Sequence, residues 1–294
     1  MIEVCNTFSS HCIITPILCH PLPFLHSFAT RPTLISYCPT WSSAYQHLNN
    51  RGEISRQATN RSLGLVWDTT EAIFNIIMIK EAVWKSMRHK DITKKVRDLL
   101  WKHVHGIYRP MSFQNIPRYE ERMVCPICKE TKTFRHIMVE CKSSEWRIIW
   151  QALNKIWRRQ YDKDLLISEG VVLGCSLACF NIENSKPNVV KNSLYRILVS
   201  EAVHLIWVLR CERQIREDDL EGNHSKHAIQ NRWYGKIDRR MQMDCLLTNT
   251  YLYKNKALKM KVVYNMQVKY STSNEDLHWD WCRHLGVLVG KDPG

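Results

Sequence analysis

From about residue 68 onward the apolar residues return every three to four positions, the signature of amphipathic helices. Asp68-Thr69-Thr70-Glu71 offers a cap and an acidic first turn. Ile73, Ile76, Ile77, Val83, Trp84 and Met87 then recur near helical spacing, which predicts a helix over 70–88. Between Asp91 and His105, the residues Ile92, Val96, Leu99, Leu100 and Val104 form one stripe opposite Lys94, Asp98, Lys102 and His105, and Gly106 is placed to stop the helix. A third helix, capped by Ser143 or Ser144, carries Trp146, Ile149, Trp150, Leu153, Ile156 and Trp157 inward and ends in Arg158 and Arg159, where cations complement the dipole. From Leu194 to Leu209 only Arg196 and Glu201 carry formal charge, so this helix should run through the core. Ile229, Trp233, Ile237 and Met241 step by four along a helix over about 225–247. In the tail, Met260, Val262, Tyr264, Met266, Val268 and Tyr270 alternate with mostly polar neighbours, and that period of two predicts a strand. No internal repeat or low-complexity tract is visible.

Composition changes this picture at the N-terminus. Residues 1–50 hold one basic residue, Arg31, one acidic residue, Glu3, and five of the ten prolines. The segment 1–63 is therefore expected to be poorly ordered. It lacks the basic and apolar regions of a secretory signal, so the twelve cysteines read as reduced thiols or metal ligands of an intracellular protein, nuclear or cytoplasmic. No apolar run reaches the roughly 18 residues of a membrane span, which makes a membrane protein an unattractive reading. The absence of GxGxxG and GxxxxGK[ST] removes the usual nucleotide cradles. The net charge is +14, and 81–163 alone contains 19 Lys and Arg against 9 Asp and Glu, so most of the surplus sits there. Such a balance favours a polyanionic partner, RNA or single-stranded DNA among them.

The chemistry-bearing residues fall in one short window. Cys125, Cys128, His136 and Cys141 have the spacing C-x2-C-x7-H-x4-C. Zn2+ takes a tetrahedral set of thiolates and imidazoles, and a CxxC turn supplies two of them. With all four positions filled by protein, such a zinc would be structural. A redox CxxC is the alternative, but it needs a helix start after a strand, and no βαβ pattern surrounds this one. His103 and His105 stand nearby as substitute ligands.

The run WKSMRHKDITKKVRDLLWKHVHGIY from Trp84 to Tyr108, then CPIC at 125–128 and FRHIMVEC at 134–141, resembles the zinc-binding module of non-LTR retrotransposon reverse transcriptases. In that family a W…FLWK…HG helix precedes a CPxC…T…HxxxxC cluster. The stretches 194–213, 231–233 and 244–249 are similar to the C-terminal extension of its fungal members. The resemblance implies Cys125, Cys128, His136 and Cys141 as the zinc ligands, the same four that the spacing selects. It also implies nucleic acid and other retroelement protein domains as partners. The fold implied is mainly α: a helical region over 64–160 with an inserted zinc loop at 123–141, and a helical extension over 161–294.

Family members carry polymerase and ribonuclease H domains upstream, each holding two Mg2+ ions on acidic residues. No [FY]xDD motif occurs here, and the one adjacent aspartate pair, Asp218-Asp219, lies in a polar stretch that reads as solvated loop. The chain is expected to be a non-catalytic fragment. Arg88, Lys90, Lys94, Lys95, Lys102, Lys129, Lys132 and Arg135 are the candidate phosphate-binding residues, with an ordinary solvated helix face as the other reading. Trp and Tyr side chains can stack on bases, but those at helical spacing read as core. Two functions stay open: a nucleic-acid-associated zinc module, and a structural or interaction remnant with no nucleic-acid binding of its own.

Overall fold

The computed structural model describes residues 56–76, 79–107, 123–143, 145–161, 163–182, 186–215 and 224–270. These are mostly helical and form no named strand. No helix among them is long and apolar enough to cross a membrane. Asp218-Asp219 lies outside the described residues, as does nearly all of the proline-rich segment.

Helix α1 spans Gln57–Phe74, α2 Lys80–Ser86, α3 Lys94–Val104, α4 Glu145–Tyr161, α5 Glu169–Leu173 and α6 Val189–Ile215. They are followed by α7 at Lys226–Leu246, the single turn α8 at Thr250–Tyr253 and α9 at Met260–Tyr270. Helix α6, 27 residues long, is the central element, as its nearly uncharged middle predicts. Leu194, Ile197, Leu198, Val199, Ala202, Val203 and Leu209 are all fully buried. Helices α3, α4, α7 and α9 pack around it. One hydrophobic core runs from Ile92 to Met266, so the residues before and after position 160 share it.

The stripes on α3, α4 and α7 face this core as their spacing predicts. Ile229, Trp233, Ile237 and Met241 are completely buried, and the Ser225 hydroxyl caps α7 by accepting from the Ala228 N–H. Gly106 ends α3 at φ 63°; its N–H bonds to the His103 carbonyl and that of Ile107 to Lys102, which satisfies two otherwise orphaned carbonyls.

Two expectations fail. The helix predicted over 70–88 is two helices. The first begins at Gln57, inside the segment expected to be poorly ordered, and stops at Asn75 in the left-handed region, φ 53°. The supposed cap lies inside α1, where Thr70 donates to the Val66 carbonyl instead. Helix α1 buries Thr59, Leu63, Val66 and Thr70 along one face and packs most closely on α5. A Cβ on Gly170 would sit 1.9 Å from Thr69 Oγ1 and 2.5 Å from the Leu65 carbonyl oxygen, so the two backbones approach as only glycine permits. The predicted tail strand is helix α9. Val263, Met266 and Gln267 are its buried residues, at spacings of three and four, and no partner strand exists among the described residues to satisfy an extended chain.

A second, smaller core joins Leu63, Val66, Val83, Met87, Val104, Leu173 and Leu177, tying α1 and α2 to α3 and α5. Around Tyr195, the rings of Phe74, Trp157 and Phe180 meet edge-on or tilted, with centroids 4.9–6.1 Å apart.

Candidate metal centre

Between α3 and α4 the chain makes a clasp. Val124 and Thr131 form an isolated antiparallel bridge, with the Cys125 N–H donating to the Glu130 carbonyl and the Lys129 N–H to the Cys125 carbonyl. This closes Cys125-Pro126-Ile127-Cys128 into one tight turn, with Lys129 at φ 59° where the chain reverses. The second half is a π-helical turn, His136–Glu140, closed by the Cys141 N–H on the His136 carbonyl at 2.7 Å. In an α-helix, side chains five apart point about 140° away from one another. The wider π turn brings His136 and Cys141 to the same side, facing the CxxC. Thr133 Oγ1 accepts the His136 N–H and starts this turn. Two indoles of α4 finish it: Trp146 Nε1 donates to the Cys141 carbonyl and Trp150 Nε1 to the Met138 carbonyl.

The ligating atoms of Cys125, Cys128, His136 and Cys141 all lie within 4.8 Å of one another. Cys125 Sγ and Cys141 Sγ are 3.7 Å apart, Cys128 Sγ and Cys141 Sγ 3.8 Å, and Cys128 Sγ is 3.2 Å from His136 Nε2. Cys125 and Cys141 are buried and Cys128 is partly exposed. His136 Nδ1 turns away from the sulfurs and lies 3.3 Å from the Glu130 carboxylate, without hydrogen-bond alignment. Burial raises both buried thiols, and hydrogen bonds separate them. The Cys128 and Ile127 N–H groups and the His136 side chain bring Cys125 down to about 6, whereas burial and the neighbouring Cys125 leave Cys141 at about 11. Three sulfurs and an imidazole nitrogen at such separations can hold a metal ion.

The cluster is docked on the C-terminal half of α6. A cavity of about 40 Å3 separates them, lined by Cys125, His136, Cys141, Ile206 and Arg210 among others. Arg210 stacks over Trp207 at 4.9 Å, and the half-buried pair Arg213–Glu145, 2.6 Å, joins α6 to the start of α4. Neither arginine had a signal in the sequence: each lies some 70 residues from the Cys/His window, and only the fold brings it near.

His103 and His105 are not ligands. His103 is buried against Phe134 and Trp207, with ring centroids 3.8 and 4.9 Å away, and burial with the Arg210 charge lowers it to about 3. His105 stacks on Trp84 at 5.0 Å and meets Thr59 Oγ1 through Nδ1. Nor does the CxxC stand at a helix start, which the redox alternative requires.

The candidate phosphate-binding residues do not behave as one face. Arg88, Lys90, Lys94, Lys95 and Lys129 are exposed. Lys102 pairs with Asp98 at 2.7 Å and Arg135 with Glu140 at 2.5 Å, which compensates both charges. Lys132 is only 5% exposed and lines the cavity beside Cys125 and His136, so burial withdraws it from any phosphate.

No family model, curated protein or solved structure matches the chain.

Proposed function

We propose that this chain is a non-catalytic, zinc-clasped helical module that associates with nucleic acid, a fragment of a retrotransposon reverse transcriptase protein of the non-LTR type. One observation carries the metal assignment. Zn–S bonds of about 2.3 Å set tetrahedral S···S edges of about 3.8 Å, and the two resolved sulfur pairs lie at 3.7 and 3.8 Å. The soft donor set and the turned-away Nδ1 of His136, beside a carboxylate, fit Zn2+ held structurally, with no position left open for water or substrate. The order of the ligands and the indoles gripping the π turn support the family reading, and the surplus of cations supports the nucleic-acid reading.

Metal analysis of the purified full chain should find one zinc per molecule, falling to near none in Cys125→Ser. Undiminished zinc in that variant defeats the assignment. Affinity for an oligonucleotide should fall steeply with salt, since each phosphate contact releases a counterion; a flat response defeats the nucleic-acid reading.

A second reading has its own support. Tyr251, Leu252 and Tyr253 on α8, with Met243 and Leu246 at the end of α7, are exposed apolar side chains close together in sequence. They suit a remnant whose helices packed on further domains and which binds no nucleic acid itself. Self-association that Tyr251→Ser and Leu252→Ser abolish, without oligonucleotide binding, would favour it.

A further inference from the structure

The outer face of α4 differs from every other helix surface near the clasp. Its only acidic residue, Glu145, is buried and consumed by Arg213. Its remaining charged residues, Arg147, Lys155, Arg158 and Arg159, are all cationic and all exposed. Arg147, Gln151, Lys155 and Arg159 step by four and form one stripe about 18 Å long at 1.5 Å per residue. Beside this stripe runs an open groove of about 640 Å3, extending from Trp146 to Arg159.

One lining residue, Asp164, lies outside α4, in the loop that follows it. Asn154 Oδ1 accepts the Leu165 N–H at 3.0 Å and its Nδ2 donates to the Leu165 carbonyl, which fixes the following loop against the helix. Asp164, the one described carboxylate in the groove, is engaged by both ends of the Arg158 guanidinium. Arg158 is therefore neutralised, while Arg147, Lys155 and Arg159 have no ion pair among the described residues. At the clasp end, Arg147 lies 5.2 Å over the half-buried Trp146 ring, a stacked guanidinium whose edge stays free for an anion. A repeating row of cations with one partly exposed ring, Trp146, at its clasp end matches a chain of repeating phosphates that also carries stackable bases. An acidic peptide offers the charge without the bases.

Resting on the nucleic-acid reading above, we propose that this α4 groove holds a single-stranded nucleic acid, with Arg147, Lys155 and Arg159 on successive parts of its phosphate backbone. Asp164 restrains the fourth cation, Arg158.

Fluorescence anisotropy of the full chain with a labelled oligouridylate, over roughly 50–200 mM salt, tests this. The triple variant Arg147→Glu, Lys155→Glu, Arg159→Glu should bind at least about tenfold more weakly, with the log–log salt slope shallower by about 2 for three lost contacts. Asp164→Asn frees Arg158 and should tighten binding, with a slope steeper by about 0.7. Lys94→Glu, Lys95→Glu should change affinity by less than about twofold. These side chains are exposed, so circular dichroism should report unchanged helix in each variant. The neutral triple Arg147→Gln, Lys155→Gln, Arg159→Gln should weaken binding in the same direction. Wild-type affinity in both triple variants would overturn the groove while leaving the nucleic-acid reading intact. Absence of oligouridylate binding by the wild type would overturn both. Binding to phosphatidylserine vesicles in place of the oligonucleotide would overturn the partner class.

Discussion

The clasp at 123–143 and the bundle of α4, α6 and α7 lie side by side, yet different physics holds each. In the bundle, Ile229, Trp233, Ile237 and Met241 are completely buried against α6 and its neighbours. Each such side chain contributes about 1.5–3 kcal/mol through water removed from apolar surface. In the first half of the clasp, Val124 and Ile127 are more than 40% exposed, and backbone bonds and a buried cysteine are what remain. Its second half contributes Ile137 and Met138 to the core, but the geometry that joins the halves consists of four ligands. Burial holds the bundle whatever the metal content, whereas on the proposed function the clasp would depend on an ion that draws its sulfurs together.

Chelation should separate the two most sharply. Metal binding in isolated zinc modules is worth roughly 10–16 kcal/mol, so stripping the ion should open 123–143 to limited proteolysis while most helical circular dichroism persists. Equal resistance with and without chelator would erase the contrast. Trp233→Ala attacks the other side. It should cost about 3–5 kcal/mol in urea unfolding while leaving one zinc bound in the fraction that still folds.

Acid probes the seam between the regions, where His103 lies under Phe134 and near Arg210. The folded ring titrates at about 3 against 6.5 when unfolded, so the unfolded chain takes up the proton first. This contribution is complete above pH 6.5 and lost as pH falls from there toward 3, amounting to roughly 2–4 kcal/mol. His103→Phe keeps the ring stack without the proton and should flatten that part of the pH dependence relative to wild type. The smallest effect is expected at the contact of α1 with α5. Gly170→Ala forces the Leu65 carbonyl and Thr69 aside and should cost about 1–3 kcal/mol, read as a lowered thermal midpoint with unchanged zinc content.

The contrast also explains what could be read in advance. Helices α3, α4, α6 and α7 were legible because each carries its own apolar stripe, and that stripe is a local property of the chain. Helix α1 was not, because Gln57–Gly64 buries only Thr59 and Leu63 and its main packing partner, α5, lies over a hundred residues away. Helix α9 was misread as a strand because its apolar residues satisfy a period of two as well as the helical one. Only the absence of a partner strand and the packing on α6 and α7 decide between them. In the candidate site, the four residues that converge were legible as candidate ligands from spacing within 17 residues. The burial of Lys132, the ion pairs of Lys102 and Arg135, and the approach of Arg210 and Arg213 were not, since each depends on what lies opposite.

The sequence by itself determined the amphipathic helices and the order of three thiols and one imidazole, because helical period and chelate spacing are both short-range. The tertiary structure alone decided which cations face solvent, which histidines are locked away and where a groove opens along α4. Burial and ion pairing are set by neighbours distant in the chain, and no local pattern encodes which those are.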